Sequence, residues 1–312
     1  MKTGKASSKK SRPKPAPAVT QRSIEADRRA LARKARQDRQ ERLKVFRAQI
    51  KGRKRRIGVR AAGTGPLTLL AEGDSWFHYP VPGFPAAAGV IEHLKRMIET
   101  FPEPLNLAHY GDEVQDMMGV EQRKRLREVL SEPLFVFDAL LFSGGGNDLV
   151  GDQLCLWLRD RADASDPAHA FDDARLDNVL QIVEAGYRDL IALRDELAPE
   201  CVIFAHGYDF PKPSNKGVCG LGPWLKPSMV FRGWTDPDEQ FEIARNLLLR
   251  FNGLLERFEQ SALPGSFVYV RTQGTLRPRV DWANEIHPDH GGFDKIARRF
   301  RDALEERFPG RV

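Results

Sequence analysis

The sequence predicts an α/β fold, a five-stranded parallel sheet covered on both faces by helices. Short apolar runs of strand length alternate with longer stretches whose apolar residues recur at helical spacing, the pattern in which crossover helices join parallel strands. Successive strand-like runs stop on glycine or small polar residues, as strands do where they end at a crevice. A chain of 312 residues with 41% hydrophobic content also has enough apolar surface for a full core.

Residues 1–21 are rich in Lys, Ser and Pro and bury too little apolar surface to order themselves, so disorder is expected there. From Ser23, which reads as an N-cap, to about residue 50 the chain favours a helix, with Glu25/Arg29 and Asp38/Arg42 at i,i+4 spacing. The apolar positions Ile24, Leu31, Leu43, Phe46 and Ile50 are sparse, so this helix is expected to project into solvent or pack lightly. Residues 51–56 then read as a basic linker. The expected organisation is a basic disordered and helical extension over 1–60 and one folded domain over 61–312.

The first strand is the run Leu67, Leu69, Leu70 and Ala71, which stops at Gly73-Asp74-Ser75; its continuous apolar character suits a strand buried on both faces. Val90, Ile91, Leu94, Met97 and Ile98 place a helix over about 86–101. Leu105 to Ala108 form a second strand ending near Gly111, and residues 114–130 are helical. A third strand over 135–142 ends in Ser143-Gly144-Gly145-Gly146 followed by Asn147-Asp148. A long amphipathic helix over 176–197 leads to a fourth strand at 201–205, terminated by His206-Gly207. A helix over 239–259, a fifth strand at 266–270 and a helix over 292–308 complete the alternation. Between them lies a loop over 207–237 with five Pro, five Gly and the aromatics Phe210, Trp224, Phe231 and Trp234. A loop of that length is either a binding wall or lid, or a segment packed on its own aromatics.

Charge is unevenly placed: residues 1–60 carry a net +18 and the remainder −12. The basic arm is therefore either a solubilising charge run or a tether to nucleic acid or an anionic surface through counterion release. It holds no interleaved aromatics and no nucleic-acid-binding motif. No apolar run approaches the ~18 residues of a membrane span, and no secretory leader follows the basic start; the expectation is a cytoplasmic protein. Cys155, Cys201 and Cys219 show no CxxC or Cys/His ligand spacing, which reads as free thiols with no metal site.

The chemistry-bearing residues fall at the strand ends. Ser75, Gly111 and Asn147 supply a hydroxyl nucleophile, a backbone N–H with no side chain in the way and a carboxamide donor, the parts of an acyl-transfer site. His287, in the loop before the last helix, supplies the imidazole that takes the serine proton and returns it to the leaving group.

Four blocks in order, Gly73-Asp74-Ser75, Gly111, Gly144-Gly145-Gly146-Asn147-Asp148 and Asn284-Glu285-Ile286-His287-Pro288, make the chain resemble the SGNH, or GDSL, family of serine esterases and acylhydrolases from about residue 67 to 308. The resemblance implies a flavodoxin-like three-layer α/β/α sandwich with strand order 2-1-3-4-5. It implies Ser75 as nucleophile, His287 as general base and an oxyanion hole from the N–H groups of Ser75 and Gly111 and the Asn147 side chain. It implies no metal or organic cofactor, and a small-molecule, lipid or glycan ester as substrate.

The chain departs from that pattern at one position: where such hydrolases commonly carry Asp three residues before the histidine, this sequence has Asn284. Asp281 and Glu285 are the nearby carboxylates, and Asp281 is expected to assist the Ser75–His287 pair. Around the site, Asp74 and Asp148 read as braces of their turns, and His78, His109 and His206 as structural histidines. Trp76 and Phe77 suit either a pocket wall or packing against the first helix. The competing reading keeps the fold without catalysis, as a scaffold tethered by the basic arm.

Overall fold

The computed structural model describes residues 21–56, 65–79, 89–218 and 221–312. Of the stretch 1–21 expected to be disordered, residues 1–20 lie outside the described residues and Gln21 is helical; part of the basic arm, the start of the helix expected at 86 and Cys219 also lie outside them. Contacts divide the chain into two units, one ending at Gln40 and the other running from Glu41 to Val312.

Helix α1 spans Gln21–Arg56 and crosses that division. Ser23 lies within it and is not a cap, and residues 51–56 are helical where the sequence suggests a linker. Its second half does more than pack lightly. Phe46 is 2% exposed and belongs to the core of the second unit, with its ring edge-on to Phe135 at 5.1 Å and stacked on Phe137 at 5.6 Å. Burying one phenylalanine contributes about 2 to 3 kcal/mol, and Leu43 and Ile50 pack, partly buried, against the same core.

Five strands form one sheet in the order β2-β1-β3-β4-β5: β1 Leu69–Gly73, β2 Leu105–Asn106, β3 Ala139–Ser143, β4 Val202–His206 and β5 Phe267–Val270. All four pairings are parallel. β1 pairs with β3 from Leu69↔Ala139 to Gly73↔Ser143, and β1, β3 and β4 are buried along their whole length. The third strand is shorter than expected, because Phe135 and Phe137 stop short of the ladder to pack on Phe46.

The α-helices after α1 are α2 Val90–Leu94, α3 Val114–Met117, α4 Val120–Leu130, α5 Gly146–Leu149, α6 Asp173–Leu197, α7 Lys226–Phe231, α8 Pro237–Ser261 and α9 His290–Arg307. On one face α9 sets Phe300 5.5 Å from the His206 ring at the end of β4. On the other, α6 sets Tyr187 against Phe142 of β3, and α8 sets Phe258 against Phe267 of β5. The stretch expected as one helix over 114–130 is two, because Gly119 adopts an extended conformation and caps α4. The helix expected to reach residue 101 ends at Leu94; the chain turns so that Thr100 bridges Leu67. Asp172, Asp236 and Asp289 cap α6, α8 and α9 by accepting backbone N–H bonds of the first turn.

The order of the strands fixes where a site can form. The chain steps from β1 outward to β2, then returns to lay β3 on the other side of β1, so the carboxyl ends of β1 and β3 flank the point where the winding reverses. Ligands of open α/β sheets bind at that crevice. Ser75 follows β1 and Asn147 follows β3.

Candidate active site

Gly73 ends β1 in a place no other residue fits: a Cβ there would lie 2.6 Å from the backbone oxygen of Ser143. The close approach lets Asp74 N–H donate to Ser143 C=O at 2.9 Å and starts a tight turn, closed by His78 N–H on Asp74 C=O at 3.1 Å. Ser75 sits at the head of this turn, 5% exposed.

The Ser75 hydroxyl lies 2.7 Å from His287 Nε2, across 212 positions of sequence. The other ring nitrogen, Nδ1, is 2.9 Å from Asn284 Oδ1. That oxygen also accepts the backbone N–H groups of Ile286 at 3.2 Å and His287 at 3.0 Å, while Asn284 Nδ2 donates to the Tyr79 hydroxyl at 3.1 Å. Two backbone donors can face only the amide oxygen, which fixes the orientation of Asn284. Nδ1 is therefore the protonated nitrogen, and the Nε2 lone pair faces the serine hydroxyl. Burial alone lowers the His287 pKa to about 3, so the imidazole is a neutral base throughout the ordinary pH range.

Asp281 does not take the place expected for it. Its carboxylate binds Arg277 Nη2 at 3.0 Å, the Arg277 N–H at 2.8 Å and Lys295 Nζ at 2.6 Å, and the Arg277 guanidinium, with Lys295, holds it well below the usual carboxylate range. Two cations within ion-pair distance outcompete one imidazole N–H. Asn284 is the residue that orients His287.

Glu285 is fully buried and serves the long loop instead. Its Oε1 accepts the N–H groups of Ser214, Asn215 and Lys226 at 3.1, 2.9 and 3.2 Å, and its Oε2 those of Trp224 and Leu225 at 2.6 and 2.7 Å. One carboxylate thus pins both limbs of the loop over 207–237 to the segment that carries His287. Nothing local in the sequence signals this, since the donors lie 59 to 71 positions upstream.

Asn147 lies in the first turn of the short helix α5, and its Nδ2 donates to Asp112 C=O at 2.9 Å. An amide has two protons, and Asn147 also lines the crevice beside Ser75. The same bond holds the turn from His109 to Asp112, closed at 3.3 Å, in which Gly111 has φ +81°. His109 N–H donates to Gly73 C=O at 2.9 Å, which ties this turn to the end of β1 beside Ser75. The structure thus brings Ser75, His287, Asn147 and the Gly111 turn to the carboxyl ends of neighbouring strands and sends Asp281 elsewhere.

Beneath the serine lies a buried polar chain. His206 Nδ1 contacts Gly207 C=O at 2.8 Å and its Nε2 the Ser143 hydroxyl at 2.8 Å; Ser143 Oγ is 2.7 Å from Asp74 Oδ1, and the Tyr208 hydroxyl donates to Asp74 Oδ2. Burial raises Asp74 to about 6 and lowers His206 to about 4, so His206 is a neutral structural group and Asp74 braces the turn. His109 stacks on Tyr110 at 4.3 Å, and His290 is the first residue of α9. Trp76 donates its Nε1–H to Ile286 C=O at 3.0 Å and forms part of a pocket wall next to Ser75. Sequence reasoning misses the roles of Ser143 and Tyr208, although the parallel register of β1 and β3 does place Ser143 opposite Gly73.

Among the described residues no helix is long and apolar enough to cross a membrane, and Cys155 and Cys201 are free thiols.

No protein-family model matches the chain, and no curated protein matches it. Solved structures with similar backbones include the lipase Lip_vut3 from a goat rumen metagenome, at 15% identity and TM-score 0.49, covering 76% of this chain and 97% of that one. The extracellular lipase of Streptomyces rimosus is 15% identical with TM-score 0.47, covering 76% and 99%. A variant of Axe2, an acetyl-xylooligosaccharide esterase from Geobacillus stearothermophilus, is 16% identical with TM-score 0.44, covering 79% and 96%.

Proposed function

We propose that the chain is a serine ester hydrolase of the SGNH type, working through an acyl-enzyme. The observation that carries this reading is the 2.7 Å contact between the Ser75 hydroxyl and the unprotonated nitrogen of His287. In the first half-reaction Ser75 Oγ attacks the ester carbonyl carbon as its proton passes to His287 Nε2. The carbonyl oxygen becomes an oxyanion, for which the Asn147 amide and the N–H groups of Ser75 and Gly111 are the donors at hand. The intermediate collapses with cleavage of the C–O bond, and His287 gives its proton to the departing alkoxide. Water then repeats the sequence on the acyl-serine, releasing the acid and restoring Ser75. Asn284 acts through His287: it holds the productive tautomer and supplies no negative charge to the imidazolium.

Ester turnover in Ser75→Ala and His287→Ala tests this function. Each variant should turn over about a thousandfold more slowly, or worse, with its fold intact. Retention of wild-type turnover by either variant rejects it.

A further inference from the structure

His206, Ser143 and Asp74 stand in a row whose contacts need one proton more than the ordinary states of these groups supply. At one end His206 Nδ1 lies 2.8 Å from Gly207 C=O. A carbonyl only accepts, so Nδ1 carries the hydrogen and Nε2 of the neutral ring presents a lone pair. That lone pair lies 2.8 Å from Ser143 Oγ, which also meets Asp74 Oδ1 at 2.7 Å. The serine hydroxyl has one hydrogen. Were Asp74 ionised, both of its neighbours would be acceptors and one of the two contacts would hold no hydrogen. Water cannot supply it: His206 and Ser143 are 0% exposed and Asp74 is 2% exposed, and a buried hydrogen bond left unmade costs the full desolvation of the group.

One added proton completes the row, on His206 or on Asp74. On His206 it would create an imidazolium among the rings of Trp76, Phe77, Tyr208 and Phe300, and burial pushes that imidazole down to about 4. On Asp74 it leaves every group in the row neutral, the cheaper state in a dry interior. Asp74 Oδ1–H then donates to Ser143 Oγ, and Ser143 donates to His206 Nε2. Oδ1 keeps a lone pair for the Trp76 N–H at 2.9 Å, and Oδ2 accepts the Tyr208 hydroxyl.

We infer that Asp74 holds a proton in the working enzyme, fixed there by His206 acting through Ser143, and that this keeps negative charge out of the turn that carries Ser75. The inference rests on the serine-hydrolase reading and adds three positioning residues to that site. Ser75 follows Asp74 directly, and its N–H is a donor to the oxyanion. A carboxylate one residue away would oppose the charge that develops there, and a neutral acid does not. The other titratable groups facing Asp74 are Asp112, whose charge opposes its ionisation, and the phenols Tyr208 and Tyr187, which burial holds well above their ordinary value; α9 presents only the Phe300 ring to the His206 end. With Ser143, Tyr208 and Trp76 all donating to it, Asp74 stands at about 6. Turning the Ser143 hydrogen toward His206 removes one of those donors and makes the acid a donor itself, so in the intact row the proton stays on Asp74 above about pH 6.

His206→Phe tests this. It removes the Nε2 acceptor and keeps a ring among the same aromatic neighbours, and Gly207 C=O keeps the Thr272 hydroxyl. Ser143 can then donate to Asp74, which should ionise above about pH 6. The experiment records the infrared carbonyl stretch of protonated carboxyl groups in the full-length chain, with aspartate isotopically labelled at its side-chain carboxyl, alongside the pH profile of p-nitrophenyl acetate hydrolysis. At neutral pH the wild type should show one protonated aspartate more than Asp74→Asn or His206→Phe, and His206→Phe should regain it below about pH 6. Over the same range kcat of His206→Phe should fall at least about tenfold as pH rises, at little change in KM, while the wild type does not follow. Equal signals in wild type and Asp74→Asn overturn the placement of the proton, and that comparison decides the matter even if His206→Phe fails to fold. A signal unmoved in folded His206→Phe, or a loss of turnover there that is the same at every pH, overturns the role given to His206. Absence of Ser75-dependent turnover together with the expected signals would reject the hydrolase reading and leave the proton where it is assigned.

Discussion

Replacing Asn284 by Asp probes the site where it departs most from related chemistry. The carboxylate would occupy the position of an amide whose oxygen lies 2.9 Å from His287 Nδ1 and accepts two further N–H groups. All three donors remain, and the Tyr79 hydroxyl, now accepting from Asn284 at 3.1 Å, can reverse and donate to the acid. The change is thus close to the addition of one negative charge beside the imidazole. Charges centred about 4 Å apart at an effective dielectric of about 20 interact by about 4 kcal/mol, or about 3 pK units. His287, now near 3, should rise to about 6. The free-enzyme base is read from the acid limb of kcat/KM. The wild type should show none between about pH 5 and 8 beyond loss of fold, whereas Asn284→Asp should show a limb near pH 6. Above that limb the same charge stabilises the imidazolium formed in the transition state, and turnover should rise about tenfold or more. The assay is the pH profile of p-nitrophenyl butyrate hydrolysis. An acid limb that stays put, or a wild-type limb already near 6.5, would refute the claim that an uncharged amide orients a depressed histidine.

Other outcomes follow from the same contacts. Asn147→Ala should cost about 3 kcal/mol of transition-state stabilisation, slowing turnover by about two to three orders of magnitude at little change in KM; steady-state kinetics on one ester reads it. Glu285→Gln should destabilise nearly as much as Glu285→Ala, at least about 3 kcal/mol by urea unfolding, because the amide nitrogen would point at N–H groups that need an acceptor. Asp281→Ala should lower stability through its lost ion pairs yet leave turnover within a few-fold of wild type, the reverse of what a catalytic carboxylate would show. His206 and His287 have folded pKa values of about 4 and about 3, both below the ordinary value of 6.5, so between those limits the unfolded chain binds more protons. Unfolding free energy should therefore fall as pH drops from about 6.5 towards 4, and His287→Gln should reduce that slope by up to about 1.4 kcal/mol per pH unit.

How much is legible in the sequence depends on whether a feature is set locally. The strand ends announce themselves, since a buried strand must stop and glycine or a small polar residue marks the stop; this places Ser75, Gly111 and Asn147, and the strand order then carries them to one crevice. The partner of His287 stays open in the sequence because it turns on which way three side chains point within one loop. Asn284 folds back on its own backbone, accepting from residues two and three positions on, while Asp281 is drawn out by Arg277 and by Lys295 on α9. The Glu285 clamp and the Ser143–His206 contact join residues 59 or more positions apart, and no periodicity records them. A sparse apolar pattern undervalues Phe46 for a related reason: it counts apolar residues, whereas Phe46 packs against two other phenylalanines and Leu43 and Ile50 pack, partly buried, on the same core.

Catalysis of this kind requires an activated serine, and covalent labelling reads that directly. A fluorophosphonate probe at neutral pH should add one adduct per chain, found on the peptide containing Ser75, and labelling should be lost in His287→Ala while that variant keeps its unfolding midpoint within a few degrees. An unlabelled folded wild type, or an adduct on any other residue, would contradict it.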